Sequence, residues 1–256
     1  MNNESHGKEA RFHDHFSTLA DAYARHRPRY PAALFDFLAE LAPAKECAWD
    51  CATGNGQAAE GLARHFRRVV ATDASERQIA AAIGANNIAY RVAPAEASGL
   101  PDAAADVCAV AQALHWFDFE RFYAEARRVL KPGGIIATWM YGHSEITPDI
   151  DEVMRDFYRR ISSYFPPQRR WVDERYATIP FPFDEIPAPE FFMEARWNCA
   201  DILGYYSSWS AVKEYQARHR ESPLREVERL LRENWRGNPE EPLKVRWKLA
   251  LRIGRR

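Results

Sequence analysis

The stretch Trp49-Asp50-Cys51-Ala52-Thr53-Gly54-Asn55-Gly56-Gln57, followed by Asp73 at the end of the next apolar run, limits what this chain can fold into more than any other feature. It reads as strand, glycine loop, helix, strand, acid, the layout of a nucleotide-binding β-α-β unit. Gly54 and Gly56 allow a sharp turn and a close approach of backbone to ligand. A helix starting near Gln57 offers unpaired N–H groups to an anion. Asp73, 23 positions after Asp50, sits where an acid accepts hydrogen bonds from both ribose hydroxyls.

The loop alone leaves several readings open. Gly54-Asn55-Gly56-Gln57-Ala58-Ala59 also fits the G-x-G-x-x-G/A dinucleotide fingerprint, and the plainest alternative is a chance glycine pair with Asp50 as a helix cap. Asp50 separates the two ligand readings. A dinucleotide presents pyrophosphate to the loop, which a carboxylate repels. S-adenosylmethionine presents a methionine tail whose ammonium Asp50 can hold, directly or through water.

Beyond the loop, strands and helices alternate. Strands are expected at Cys47–Cys51, Arg68–Thr72, Ile88–Val92, Asp106–Ala111 and Ile135–Tyr141, with helices at Ala32–Leu41, Gln57–His65, Ser75–Gly84 and Phe119–Leu130. Ahead of them, Phe12–Ala24 has helical spacing, and the first ten or so residues are expected to be disordered. This alternation implies a doubly wound α/β sheet that binds ligands at the carboxyl ends of its strands. Residues 143–193 break the rhythm: an amphipathic helix over Asp149–Tyr164 is followed by six prolines in an aromatic-rich stretch, read as a cap inserted between strands five and six of one domain spanning 1–256. Phe192–Asn198 suits strand six, Asp201–His219 and Pro223–Trp235 suit helices, and alternation over Leu243–Ile253 suits strand seven. Arg169-Arg170 is expected to be solvated.

With 256 residues, 46% of them apolar, the chain can bury a full core. A formal net charge of −1 gives no ground for a nucleic-acid partner. Cys47, Cys51, Cys108 and Cys199 show no metal spacing, so no metal is expected and free thiols are. A polar start without a signal-type apolar core, and no apolar run near 18 residues, lead to the expectation of a cytoplasmic protein without a membrane span, monomeric or homodimeric.

By its motifs the chain resembles the class I S-adenosylmethionine-dependent methyltransferases. Asp50 through Gly56 is similar to the family's D-x-G-x-G-x-G, with Ala52 in place of the first glycine, a substitution that calls for an ordinary backbone conformation there. Asp73 matches the ribose-binding acid, Ala95-Glu96 the motif bordering adenine, Leu100-Pro101-Asp102 through Asp106-Val107 the approach to strand four, and Leu130 through Gly134 the turn before strand five. Tyr23–Pro31, Gln112–Asp118 and Gly204–Ser210 look like the small-molecule branch that includes trans-aconitate methyltransferase-like proteins. The resemblance implies a Rossmann-like, seven-stranded, mostly parallel sheet with an antiparallel last strand. It implies S-adenosylmethionine bound by Asp50, Ala52, Thr53, Gly54, Gly56, Gln57, Asp73, Ala74, Ala95, Glu96, Gln112 and Ala113, with S-adenosylhomocysteine as product. The acceptor is then a small molecule, a carboxylic acid among the options.

Tyr23, Arg27, His115 and Trp116 are the candidate acceptor contacts. Arg27 suits the methionine carboxylate or an acidic substrate. His115 suits a general base because its ordinary pKa lies near neutrality, and equally a packing residue. Trp116 suits a pocket wall beside the sulfonium, or the core. Trp209 and Tyr205 read first as core. A carboxylate attacking an already charged methyl donor needs no base, in keeping with the lack of a legible catalytic dyad. Two rival readings are an NAD-dependent oxidoreductase and a non-catalytic S-adenosylmethionine-binding protein.

Overall fold

Apolar residues alternate along each central strand, and this alternation builds the molecule. In the computed structural model, which describes residues 28–82 and 84–256, Ala48, Val69, Ala71, Val107, Ala109, Ile135 and Ala137 face one layer of helices. Trp49, Cys51, Val70, Cys108, Val110 and Ile136 face the other. A strand covered on both faces must be apolar at odd and even positions alike, and β1 (Cys47–Cys51) is buried at all five residues, Asp50 included.

The remaining strands are β2 (Arg68–Asp73), β3 (Ile88–Val92), β4 (Ala105–Ala111), β5 (Leu130–Tyr141), β6 (Asp184–Ile186), β7 (Phe192–Trp197) and β8 (Leu243–Arg255). They run in the order β3-β2-β1-β4-β5-β8-β6, with β7 also paired to β8. The first five are parallel and β8 is antiparallel to β5. β6 and β7 pair with opposite ends of β8, Asp184–Ile186 with Ile253–Arg255 and Phe192–Trp197 with Leu243–Lys248. They form one strand interrupted where Pro187 and Pro189 have no N–H to donate. Counted so, the sheet is seven-stranded with an antiparallel last strand, as expected. The short β6 was missed because two prolines hide it.

The helices are α1 (Ala32–Leu41), α2 (Gln57–Leu62), α3 (Glu76–Ala81), α4 (Phe119–Val129), α5 (Pro148–Ile161), α6 (Arg169–Asp173), α7 (Cys199–Ser207), α8 (Ser210–His219) and α9 (Leu224–Asn234). Caps in the sequence set their starts: the Ser75, Asp118 and Thr147 side chains accept the N–H groups of Gln78, Arg121 and Ile150, and Asn198 and Asp201 form a capping box. The single helix expected over Asp201–His219 is two, broken at Ser208-Trp209. α1, α2, α5 and α7–α9 enlarge one apolar layer, and α4 with Val172, Tyr176, Ile179 and Phe183 forms the other.

Asp106 ties the sheet together at the bottom. Its buried carboxylate accepts the N–H groups of Glu46 and Cys47 at 3.0 and 2.9 Å and the Lys131 ammonium at 2.7 Å. All four cysteines are buried free thiols. No helix among the described residues is long and apolar enough to cross a membrane. The helix expected over Phe12–Ala24, along with Tyr23 and Arg27, lies outside the described residues.

Candidate active site

The order in which successive strands are laid down reverses between β1 and β4, and a crevice opens outside the carboxyl ends of these parallel strands. The loop after β1 turns into it. Thr53 N–H donates to Thr72 O at 2.9 Å and Gly56 N–H to Thr53 O at 3.0 Å, fixing the loop against β2. Those tethers force the left-handed region on Ala52 (φ 55°), Gly54 (φ 57°) and Gly56 (φ 92°). The ordinary conformation expected at Ala52 is therefore wrong: the tethered loop overrides the alanine's preference, at about 1–2 kcal/mol. At Gly56 an added Cβ would stand 2.2 Å from the Tyr90 hydroxyl, whereas at Gly54 it would meet nothing within 4 Å.

Asp73 leaves β2 beside the loop and accepts Gly54 N–H at 2.9 Å on one oxygen and Ser75 N–H at 2.8 Å on the other. These bonds hold the carboxylate at the cavity wall. Asp50 behaves differently. It is fully buried beneath the loop and does not border the cavity. Its Oδ2 accepts the Thr53 hydroxyl at 2.5 Å. Its Oδ1 has no well-aligned hydrogen-bond partner among the described residues, although the Ala59 N–H lies near enough to favour the charged form. Burial raises its pKa to about 7, against those two hydrogen bonds and with help from the Asp73 charge. Gly56 does not border the cavity either, whereas Ala52, Thr53, Gly54, Gln57, Asp73, Ala74, Ala95, Glu96, Gln112 and Ala113 all do.

The cavity measures about 580 Å³ and runs from the glycine loop to the cap. At the end of β4, Gln112 also has a positive φ (59°). Its side chain donates to Tyr141 O and accepts Tyr141 N–H, at 3.0 and 3.1 Å, acting as one more rung between β4 and β5. Glu96 accepts the Asp118 N–H at 3.0 Å. His115 is buried, borders the cavity, and has its Nδ1 2.7 Å from the Tyr176 hydroxyl.

That contact assigns the His115 tautomer. The Tyr176 ring is sealed in the core, its pKa raised by burial, and its hydroxyl proton has no other acceptor within the described residues. Tyr176 therefore donates to Nδ1, which puts the imidazole proton on Nε2. Burial, and then the Arg169 charge, lower the His115 pKa to about 3, so the ring is neutral at pH 7. His115 presents a donor to the cavity, whereas a general base requires an acceptor.

Arg169 overturns the expectation of a solvated pair. Its guanidinium is centred 4.8, 5.3 and 5.6 Å from the rings of Phe165, Tyr158 and Trp209, and it borders the cavity. Nε donates to the Tyr158 hydroxyl and to Asp173, both at 3.1 Å. Arg170 instead stacks on Trp171.

A methyltransferase-domain family profile matches residues 49–138, from β1 into β5. A protein of solved structure from Anaeromyxobacter dehalogenans, provisionally titled a type II methyltransferase, is 47% identical and superimposes with a TM-score of 0.84 over 90% of this chain and 97% of that one. A protein of Dictyostelium discoideum, provisionally named a methyltransferase, is 31% identical over 226 residues, 86% of either chain. The chain belongs to the class I S-adenosylmethionine-dependent methyltransferases. An uncharacterized methyltransferase of Mycobacterium tuberculosis is 35% identical over 121 residues, 46% of this chain and 49% of that protein.

In this methyltransferase the two ends of the cavity differ in how they are built. Glycine loop, β2 tip and β4 end form one half, and their residues carry short-range sequence signals. Phe165, Pro166, Arg169, Tyr205, Ser208 and Trp209 line the other half and come from two stretches, 165–169 and 205–209, far apart in the sequence. Sequence reasoning missed Arg169 and Tyr176, and read Tyr205 and Trp209 as core. Tyr205 packs on Trp197 and Trp247 while also bordering the cavity, so both descriptions hold for it. Trp116 lines the cavity and is 38% exposed, which makes it wall and not core.

Proposed function

We propose that the methyltransferase binds S-adenosylmethionine along the glycine-loop half of the cavity and methylates a small molecule held in the cap-lined half, a carboxylic acid being the favoured class. The observation that carries this is the continuity of the cavity. At about 580 Å³ it falls in the range of sites that enclose drug-sized ligands, and one wall belongs to the glycine loop while the other belongs to the cap.

The residues present fit the cofactor. The open space above Gly54 admits a ligand against bare backbone. The two backbone bonds to Asp73, one on each oxygen, hold its carboxylate at the cavity wall for a ribose diol. Ala95 and Glu96 stand where the adenine edge would lie, and Gln112-Ala113 where the methionine portion passes. Asp50 supports this arrangement from below: its bond to Thr53 stiffens the loop, and of the two expected contacts with the ammonium, direct or through water, its burial away from the cavity favours the one through water.

When bound, the cofactor supplies a methyl group already activated by the sulfonium charge. The chain's own tasks are to position the acceptor and to exclude water, effects that together reach roughly 7–11 kcal/mol in favourable cases. Tyr141, Trp116, Phe165 and Trp209 supply apolar walls for both. With His115 neutral and donating, no side chain in the described cavity is set up as a strong base, which favours an acceptor that is nucleophilic as it stands.

Calorimetry tests the cofactor assignment. S-adenosylhomocysteine should bind near micromolar, about −8 kcal/mol, and NAD should not. Asp73→Ala should weaken that binding by about 1.5–3 kcal/mol, the scale of hydrogen bonds to a charged group. Normal affinity in the variant would remove Asp73 from the ribose site. Tight NAD binding without S-adenosylhomocysteine binding would overturn the whole assignment.

A further inference from the structure

We infer that Arg169 and His115 form a carboxylate-holding pair in the cap-lined half of the cavity, so that the acceptor carries an anchoring carboxylate distinct from the atom that is methylated. This rests on the methyltransferase reading of the site given above.

Arg169 has the surroundings of an anion receptor. Among the described residues lining the cavity, Asp73, Glu96 and Arg169 are the charged ones, and the two acids belong to the glycine-loop half. Arg169 is thus the charge of the acceptor half. Its side chain is 19% exposed and packed among three rings. Tyr158 and Asp173 engage only Nε. The two terminal nitrogens make no hydrogen bond within the described residues, leaving the forked edge that matches a carboxylate in two parallel bonds. Asp173 offsets part of the charge, but through one atom and from a side chain 43% exposed.

His115 supplies the third donor. With Nδ1 occupied by Tyr176, its Nε2–H has no partner among the described residues, and its ring shares the cavity wall with Arg169. The two are close enough for the Arg169 charge to depress His115 ionisation. Tyr176 is a positioning residue here. It holds a positive φ of 60° directly after Arg175 at 53°, and its carbonyl is pinned by Arg252 at 3.2 Å. Two adjacent left-handed residues store strain that the packing around Tyr176 must offset, as happens where a side chain has to be aimed.

One guanidinium balances the single charge of a carboxylate and leaves half the charge of a dianionic phosphate unmatched. A carboxylate whose lone pairs are taken by charge-assisted donors is a weak nucleophile. It therefore serves as the handle, and a second group on the same molecule takes the methyl.

The test is calorimetry on the full-length protein saturated with S-adenosylhomocysteine. The probes are glutarate and 3-phenylpropionate against glutaramide and 3-phenylpropionamide. The acids should bind about tenfold or more tightly than the amides, the size of hydrogen bonds to charged partners. Arg169→Gln should abolish that preference, Arg169→Lys should retain part of it, and S-adenosylhomocysteine affinity should stay unchanged in both. Nitrogen-15 shifts of His115 should report the Nε2–H tautomer in the wild type and a mixture in Tyr176→Phe.

Equal binding of acids and amides, or an acid preference that survives Arg169→Gln, overturns the proposal. So does a wild type that binds S-adenosylhomocysteine but no acid. Loss of S-adenosylhomocysteine binding in a folded Arg169→Gln would assign the fork to the cofactor's own carboxylate and also overturn it. A wild type that binds no S-adenosylhomocysteine refutes the underlying cofactor reading instead, and this proposal falls with it.

Discussion

Replacing Gly56 by alanine should damage the protein in two separable ways. The first is backbone strain: φ 92° is unfavourable for any residue with a Cβ, at about 1–2 kcal/mol, partly offset by about 0.5–1 kcal/mol of entropy that alanine removes from the unfolded chain. The second is collision, because the new Cβ would stand 2.2 Å from the Tyr90 hydroxyl oxygen and 3.1 Å from Cζ. Tyr90 lies on β3, two strands from the loop's own, so ring or loop must shift, at the roughly 1–3 kcal/mol typical of overpacking. The total is about 1.5–4.5 kcal/mol, or about 3–9 °C in melting temperature at roughly 2 °C per kcal/mol for a chain of this size. Tyr90→Phe removes the colliding oxygen and leaves the strain. In that background Gly56→Ala should cost only about 0.5–1.5 kcal/mol, giving a coupling of about 1–3 kcal/mol in a double-mutant cycle. Urea unfolding of the four proteins measures it. Equal costs in the two backgrounds would show that Tyr90 does not set the size of residue 56, and a neutral Gly56→Ala would refute the loop geometry itself.

Two further outcomes follow from the same region. Ala52→Gly should stabilise the protein by about 0.5–1 kcal/mol, because left-handed strain is relieved while unfolded-state entropy rises; a destabilised variant in thermal unfolding would mean that Ala52 is not held at positive φ. The His115 pKa, near 6.5 in an unfolded chain, is lowered to about 3 in the folded one, so its contribution to stability is complete above pH 6.5 and is lost as pH falls from 6.5 toward 3. Relative to His115→Gln, the wild type should lose about 1.4 kcal/mol per pH unit in that window, and unfolding curves that stay parallel from pH 7 to pH 4.5 would contradict the burial of a neutral imidazole.

What could be read in the chain followed the range over which each signal acts. Asp50 through Gly56, Asp73 and the alternating strands were legible because turn chemistry and strand burial are local. The ends of elements were less so: the break at Ser208-Trp209 looks like continuous helix, and β6 is three residues cut off by prolines. Ala52 misled because tethers from Thr53 to Thr72 and from Gly56 to Thr53 set its backbone, and a neighbour across the sheet leaves no mark on the sequence near residue 52. Arg169 misled for a similar reason. Beside Arg170 it resembles a surface pair, and only the assembly of Tyr158, Phe165 and Trp209 around it turns one member inward. The Tyr176–His115 bond spans 61 positions and has no pattern at all.

The interrupted strand beside β8 also bears on how this molecule meets its own copies. A sheet's outermost strand is a template on which another chain can add itself. Here that rim is divided into three and six residues by a proline-bearing gap. It also carries acids, Glu185, Glu190 and Glu194, that pair back onto Arg252, Lys248 and Lys244 of β8. A neighbouring strand would find missing donors, a kinked backbone and a row of charge already in use. The sheet ends on this side by construction, and its rim offers no continuous ladder on which a strand of another copy could add itself.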